Sequence, residues 1–228
     1  MTNERIEVSR GVIVEAGPVR FLGMKLESNM TIVAMGDGGL LVHSPIALTD
    51  ERRAAVEALG EVRHLYAPNT FHHLWLEPWA KAFPKAKVHA PSQLAKKYPS
   101  VRVDRAHDLE REPAFDGVFD EVRVRGFELV ETVLVHRASG SAVCADIVHN
   151  IGRPEHGWTR TYAKLAGFYD RVAISRIIRW TAFRDRRAAR ESVDELLALR
   201  FERLIVGHGA PIVEDARDQL ASAYRWLE

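Results

Sequence analysis

The chain has 228 residues, 46% hydrophobic and 28% charged, an ordinary globular composition with enough length to bury a full core. Formal charge is +1 with acids and bases interspersed, so the basic footprint of a nucleic-acid binder is absent. The single cysteine, Cys144, excludes an intrachain disulfide and fits a reducing compartment.

The first eleven residues are polar and charged, without the apolar region of a signal peptide. No apolar run approaches bilayer-spanning length. The expected location is the cytoplasm, with no membrane or nucleic-acid partner and a small molecule as ligand. Nothing in the sequence sets the oligomeric state.

In chain order, the first forty residues read as strands: Val12 to Ala16 ending at Gly17-Pro18, then Val19 to Leu26, Met30 to Met35 and Leu40 to His43. The last two flank Gly36-Asp37-Gly38-Gly39, a hairpin signal. A helix starts at Thr49, whose hydroxyl suits the cap, with Asp50 and Glu51 in its first turn. Val62 to Ala67 is a strand stopped by Pro68-Asn69. Leu74 to Phe83 is helical, Lys87 to Ala90 a strand and Pro91 to Tyr98 a short helix. Val101 to Asp116 is a loop holding one short strand. Strands return at Val122 to Arg125, Glu128 to His136 and Ser141 to Ala145, the last two joined by a turn over Arg137 to Gly140. Helices follow over Tyr162 to Tyr169 and Asp185 to Leu199, with irregular chain near Gly152 to Thr161 and Ser175 to Phe183. Phe201 to Val206 is the last strand and Asp215 to Leu227 the last helix.

Strands in each half with helices interleaved predict an α/β fold: a four-layer αββα sandwich of two mixed β-sheets with helices on the outer faces. The competing doubly wound nucleotide fold lacks a glycine-rich phosphate loop after the first strand. The whole chain, 1–228, reads as a single domain, without repeats or linkers.

Three strand ends carry metal-ligand residue types: His72-His73 after Val62 to Ala67, Asp146 after Ser141 to Ala145, and His208 after Phe201 to Val206. Divalent ions such as zinc take three or four His, Asp, Glu or Cys ligands from rigid elements. His136 is set aside, because pairing near Ser141 puts it about five residues, roughly 16 Å, from Asp146 along the hairpin. His64, His89, His107 and His156 have no site role in this reading.

These motifs, with Leu41-Val42-His43-Ser44-Pro45 and Ile205-Val206-Gly207-His208-Gly209, resemble the metallo-β-lactamase-like superfamily that includes glyoxalase II and ribonuclease Z. More narrowly, they resemble an uncharacterised bacterial branch carried as a domain of unknown function. The resemblance covers essentially the whole chain and implies a metal-dependent hydrolase. It also shows what this chain lacks. Against the family's H-x-H-x-D-H signature, Pro68 and Thr70 stand where the first two histidines belong, and His72 stands at the Asp. Phe127 lies where a later metal histidine is expected. The resemblance therefore implies one metal site, formed by His72, His73, Asp146 and His208. Adjacent strand residues point opposite ways, so both His72 and His73 reach one ion only if the backbone turns there. Asp146 and His72 are the catalytic candidates; His43, Asn69, His149 and Asn150 would support the ligands or line the pocket. The implied cofactor is one divalent ion, zinc first, with iron or manganese as alternatives, or none. The alternative reading is a catalytically silent binding or regulatory module on the same fold. No spacing selects a substrate.

Overall fold

A computed structural model describes residues 5–36 and 38–227. Asp37, in the expected turn after Met35, lies outside them. The large sheet holds β1 (Arg5–Ser9), β2 (Val12–Phe21), β3 (Met24–Ala34), β4 (Gly39–His43), β5 (Glu61–Tyr66), β6 (Lys87–Ala90) and β7 (Arg105–Ala106), side by side in that order. Its first four strands are antiparallel and β4 to β7 parallel. Between the parallel strands run α1 (Asp50–Glu57), α2 (Leu76–Ala82) and α3 (Ser92–Lys97). The smaller sheet has the order β11-β10-β9-β8, from β8 (Phe119–Arg123), β9 (Thr132–His136), β10 (Ser141–Val143) and β11 (Arg203–Ile205). β10 and β11 are parallel and are connected through α4 (Gly157–Ala166), α5 (Arg176–Thr181) and α6 (Arg186–Ala198); α7 (Ala216–Tyr224) follows β11.

Three apolar layers hold the sandwich together. Val56, Leu76, Trp79 and Leu94 of α1–α3 pack on Ile32, Val42 and Leu65 of the large sheet. Val12, Val33 and Leu41 meet Leu134, Val143 and Ile205 between the sheets. Val193, Leu196 and Leu220 of α6 and α7 cover Val133, Val135 and Leu204. β9 is buried on both faces, so it reads as a continuous apolar run: Leu134 turns to the other sheet, Val133 and Val135 to the helices. The expected αββα architecture is the one observed.

Several boundaries differ from expectation for identifiable reasons. β2 does not stop at Gly17-Pro18 but continues to Phe21, pairing with β3 over ten residues. Pro18 is tolerated because β1 pairs with β2 only as far as Glu15, leaving Pro18 on an open edge. The turn falls instead at Leu22-Gly23, both at positive φ (+48° and +77°), a two-residue geometry that matches strand twist. The segment before Tyr162 is helical from Gly157, because the His156 ring accepts the Thr159 N–H and caps α4. Ser175 caps α5 in the same way through Ile177 N–H. The Thr49 cap and the turn ending at Gly140 act as expected, Asp185 caps α6 through the Ala188 N–H rather than opening the helix itself, and His136 pairs with Ser141. Among the described residues, no helix is long and apolar enough to cross a membrane.

One buried feature has a measurable consequence. His43, His89 and His107 stack against Tyr66, with ring centroids 5.6, 5.7 and 4.8 Å away. Burial first, and neighbouring imidazoles or cations second, lower their pKa values to about 3, 2 and 4. Their folded pKa values lie below the ordinary 6.5, so the unfolded chain binds protons that the folded chain refuses. The neutral stack is fully stabilising above pH 6.5, and that contribution is lost as pH falls toward the folded values. From pH 7.5 to 6.0 the three together should cost about 2 kcal/mol. Urea unfolding at the two pH values checks this, and equal stabilities would refute it.

Candidate metal centre

The carboxyl ends of four strands open on one point. β5 runs into the loop carrying Asn69 and His72, β10 into Ala145-Asp146, β11 into Val206-Gly207-His208, and β4 into Ser44. Open α/β sheets gather ligands at such ends. Nε2 of His72 lies 3.4 Å from Asp146 Oδ2, and Nε2 of His208 lies 3.6 Å from Asp146 Oδ1. One donor atom from each of the three residues falls within 4.8 Å of the others. Among the described residues, this is the one group of three His, Cys, Asp or Glu placed to hold an ion.

The electrostatics ask for a cation there. His208 Nδ1–H donates to the Glu27 carbonyl oxygen at 2.7 Å; a carbonyl only accepts, so Nδ1 carries the proton. In the neutral ring, Nε2 then aims a lone pair at the Asp146 carboxylate. Protonation does not relieve this, because burial and the nearby His72 lower the His208 pKa despite Asp146. Burial also opposes charge on His72, but Asp146 and Glu131 outweigh it and raise its pKa. Burial disfavours the Asp146 carboxylate, yet the His72, His208 and His149 rings hold its pKa below the usual range. The outer nitrogens are anchored, as is usual for metal-binding imidazoles: His72 Nδ1 pairs with the Ser44 hydroxyl at 2.5 Å. Ser44 sits at φ +52°, a conformation unusual for serine that the Ser44 N–H···O=C Tyr66 bond helps fix. The residues present fit a divalent ion with mixed nitrogen and oxygen ligands.

Asn69 and Glu131 build the frame. The Asn69 side-chain oxygen accepts the N–H groups of Phe71 and His72, folding the loop that presents His72. Its amide nitrogen donates to Asp146 Oδ2 and Glu131 Oε2, both at 2.8 Å. Glu131, fully enclosed, accepts the N–H groups of Ala145 (2.7 Å), Asp146 (2.8 Å) and Ile147 (3.4 Å). Burial and the Asp146 charge push its pKa up, while these donors pull it down. The His208 loop is fastened from β3: the Asn29 amide donates to Val206 O and Gly209 O, and Asn29 N–H to Gly207 O. Gly207 is required by closeness, since a Cβ there would lie 2.8 Å from the His72 ring and 2.9 Å from the Ala145 backbone.

Not every candidate residue converges. His73 is not brought into the group of three: successive side chains diverge, and its ring lies on Tyr98, with centroids 4.3 Å apart. His43 lies in the aromatic stack rather than on the ion, one residue before Ser44. His149 is buried beside His208 (5.7 Å between centroids), and its Nδ1 has no hydrogen-bond partner. Asn150 faces away from the pocket and ties the His208 loop, donating its N–H to His208 O and its amide to Ala210 O. Pro68 is buried, Thr70 lines the pocket, and Phe127 stacks on Phe183 in the core. Glu131, Asn29 and Ser44 were missed by the sequence reading. For Glu131 a signal exists: it is the acid interrupting the run Leu129 to Val135.

The cluster forms the floor of a pocket of about 490 Å³. Its walls come from the β2–β3 hairpin tip, the loop after β5, α5, and Phe168 beyond α4.

A family profile described as a domain of unknown function (DUF4336) matches residues 20–101. No curated protein matches the chain in sequence. Solved structures do match in shape. The DIM-1 metallo-β-lactamase exposed to ceftazidime superposes with a TM-score of 0.68 at 13% identity, over 99% of this chain and 97% of that one. A metallo-β-lactamase from Pontibacter korlensis gives 0.68 at 12% identity, over 98% of each. VMB-1 gives 0.69 at 10% identity, over 98% of each. The likeness is one of fold, end to end: the chain has the metallo-β-lactamase fold.

Proposed function

We propose that the chain is a metal-dependent hydrolase working with a single ion held by His72, Asp146 and His208. The observation that carries this reading is the His208 ring, fixed by Glu27 so that Nε2 faces an unprotonated carboxylate. A bound divalent ion, zinc first and iron or manganese next, would supply a Lewis acid and a water of lowered pKa.

The chain's own residues divide the remaining work. Asp146 and His208 orient the ligand atoms, and Asn69 and Glu131 keep Asp146 in place. His72 has both ring nitrogens committed, Nδ1 to Ser44 and Nε2 to the cluster. Proton transfer therefore falls to His149, buried beside His208 with its Nδ1 unpartnered. One buried thiol, Cys144, and no disulfide suit the cytoplasm.

The test is turnover on ester, thioester, lactone, phosphodiester and β-lactam substrates with added zinc, manganese or iron. Metal-dependent turnover that falls at least tenfold in His149→Gln is expected. A blank across the panel at full metal content favours the second reading, a silent binding module. That reading draws on Pro68, Thr70 and Phe127 standing where a second ion's ligands would be.

A further inference from the structure

The pocket above the cluster has a chemistry of its own. Its floor is polar and buried, whereas its walls and rim are apolar and open. Leu22 is 63% exposed, Leu74 59%, Ile177 48%, and Phe21 and Phe71 47% each, and all five line the pocket. Solvent-facing apolar side chains scattered singly need no explanation, but a ring of them around one cavity marks an apolar ligand.

The hairpin tip strengthens the point. A two-residue turn with both φ values positive favours Asn-Gly or Gly-Gly, yet its first position holds leucine at φ +48°. Trp158 Nε1–H donates to the Leu22 carbonyl oxygen at 2.9 Å and supports this strained turn from outside. Leu22 thus stands exposed on the pocket lining in a backbone conformation that leucine rarely adopts. Phe21 then reaches Phe71 across the rim, with ring centroids 6.0 Å apart.

The pocket's charged lining is equally selective. Outside the cluster its charged residues are Arg20 and Lys97, both exposed; among the described residues neither makes an ion pair, and the Lys97 ammonium lies 5.4 Å over the Tyr98 ring. A volume of about 490 Å³ suits a small molecule.

We propose that this pocket binds an acyl chain carrying an acidic group. The chain lies between the Leu22 hairpin tip and Ile177 of α5, and the acid reaches Arg20 and Lys97. Resting on the hydrolase reading for the reacting end, the substrate is an acidic acyl ester or thioester whose carbonyl faces His72, Asp146 and His208. In its hydrolysis the water oxygen bonds to the acyl carbon, and the carbon–oxygen or carbon–sulfur bond breaks. The leaving alkoxide or thiolate takes the proton and the acid is released.

Calorimetric titration of zinc-treated protein with butanoate, hexanoate, octanoate and decanoate tests the binding, with metal content measured in parallel. Affinity should rise with length, by up to roughly fourfold per fully buried methylene. Leu22→Asn and Ile177→Gln, both uncharged and at exposed positions, should weaken decanoate at least tenfold and leave butanoate within twofold. Arg20→Ala with Lys97→Ala should weaken the whole series by a similar factor at every length. Monoesters and monothioesters of the corresponding α,ω-dicarboxylic acids, which keep one free acid beside the reacting carbonyl, then show which bond is cleaved. A flat series at full metal content would overturn the inference and leave the hydrolase reading standing. A steep series in protein without metal or turnover would support the acyl pocket and remove the hydrolase reading.

Discussion

Asp146→Asn is expected to strip the ion and abolish metal-dependent turnover while the fold persists. Asp146 faces both imidazoles, and its two oxygens lie 3.4 Å from His72 Nε2 and 3.6 Å from His208 Nε2. The amide has nearly the same shape but removes the negative charge and turns one oxygen into a donor. The loss of metal affinity should exceed the roughly 10–100-fold typical of a lost supporting partner. His208→Ala should do the same by removing a ligand from the other side. Metal titration with circular dichroism as a fold control checks both. Retained stoichiometric metal in Asp146→Asn would remove this residue from the ligand set.

Glu131→Ala carries the largest expected cost in stability, about 3 kcal/mol. The carboxylate serves the N–H groups of Ala145, Asp146 and Ile147 and the Asn69 amide, all buried. Each donor left without a partner costs about 1–3 kcal/mol. Relief of the repulsion between two buried carboxylates offsets part of that sum. Glu131→Gln keeps one acceptor oxygen but points an amide at backbone N–H groups, so it should cost about 1–2 kcal/mol. It should also weaken metal binding about 10–100-fold, because Asp146 loses the bond that seats its backbone. Denaturant unfolding and metal titration of the two variants read these effects. An alanine variant as stable as the parent would show that the loop holds itself.

Much of this was legible in the sequence because it follows from local rules. Apolar runs ending on polar residues placed Asp146 and His208 at strand ends, and the Thr49 cap fixed one helix start. The Ser141 register placed His136 away from the site. Contacts across the sandwich were not legible, because they join residues far apart in the chain. Asn29 holds Val206 and Gly209 from 177 and 180 residues away, and Ser44 reaches His72 across 28. The choice between His72 and His73 depended on how the loop after Ala67 turns, which Asn69 decides through two backbone hydrogen bonds. Pro18 misled because its tolerance depends on where the neighbouring strand ends.

A single ion on His72, Asp146 and His208 leaves a direct stoichiometric signature. The most direct measurement is element-resolved metal content of protein purified without chelator and then dialysed against zinc, manganese or iron. One equivalent per chain, lost in His208→Ala, is the predicted result. A metal-free chain under all three conditions, or two equivalents per chain, would contradict it.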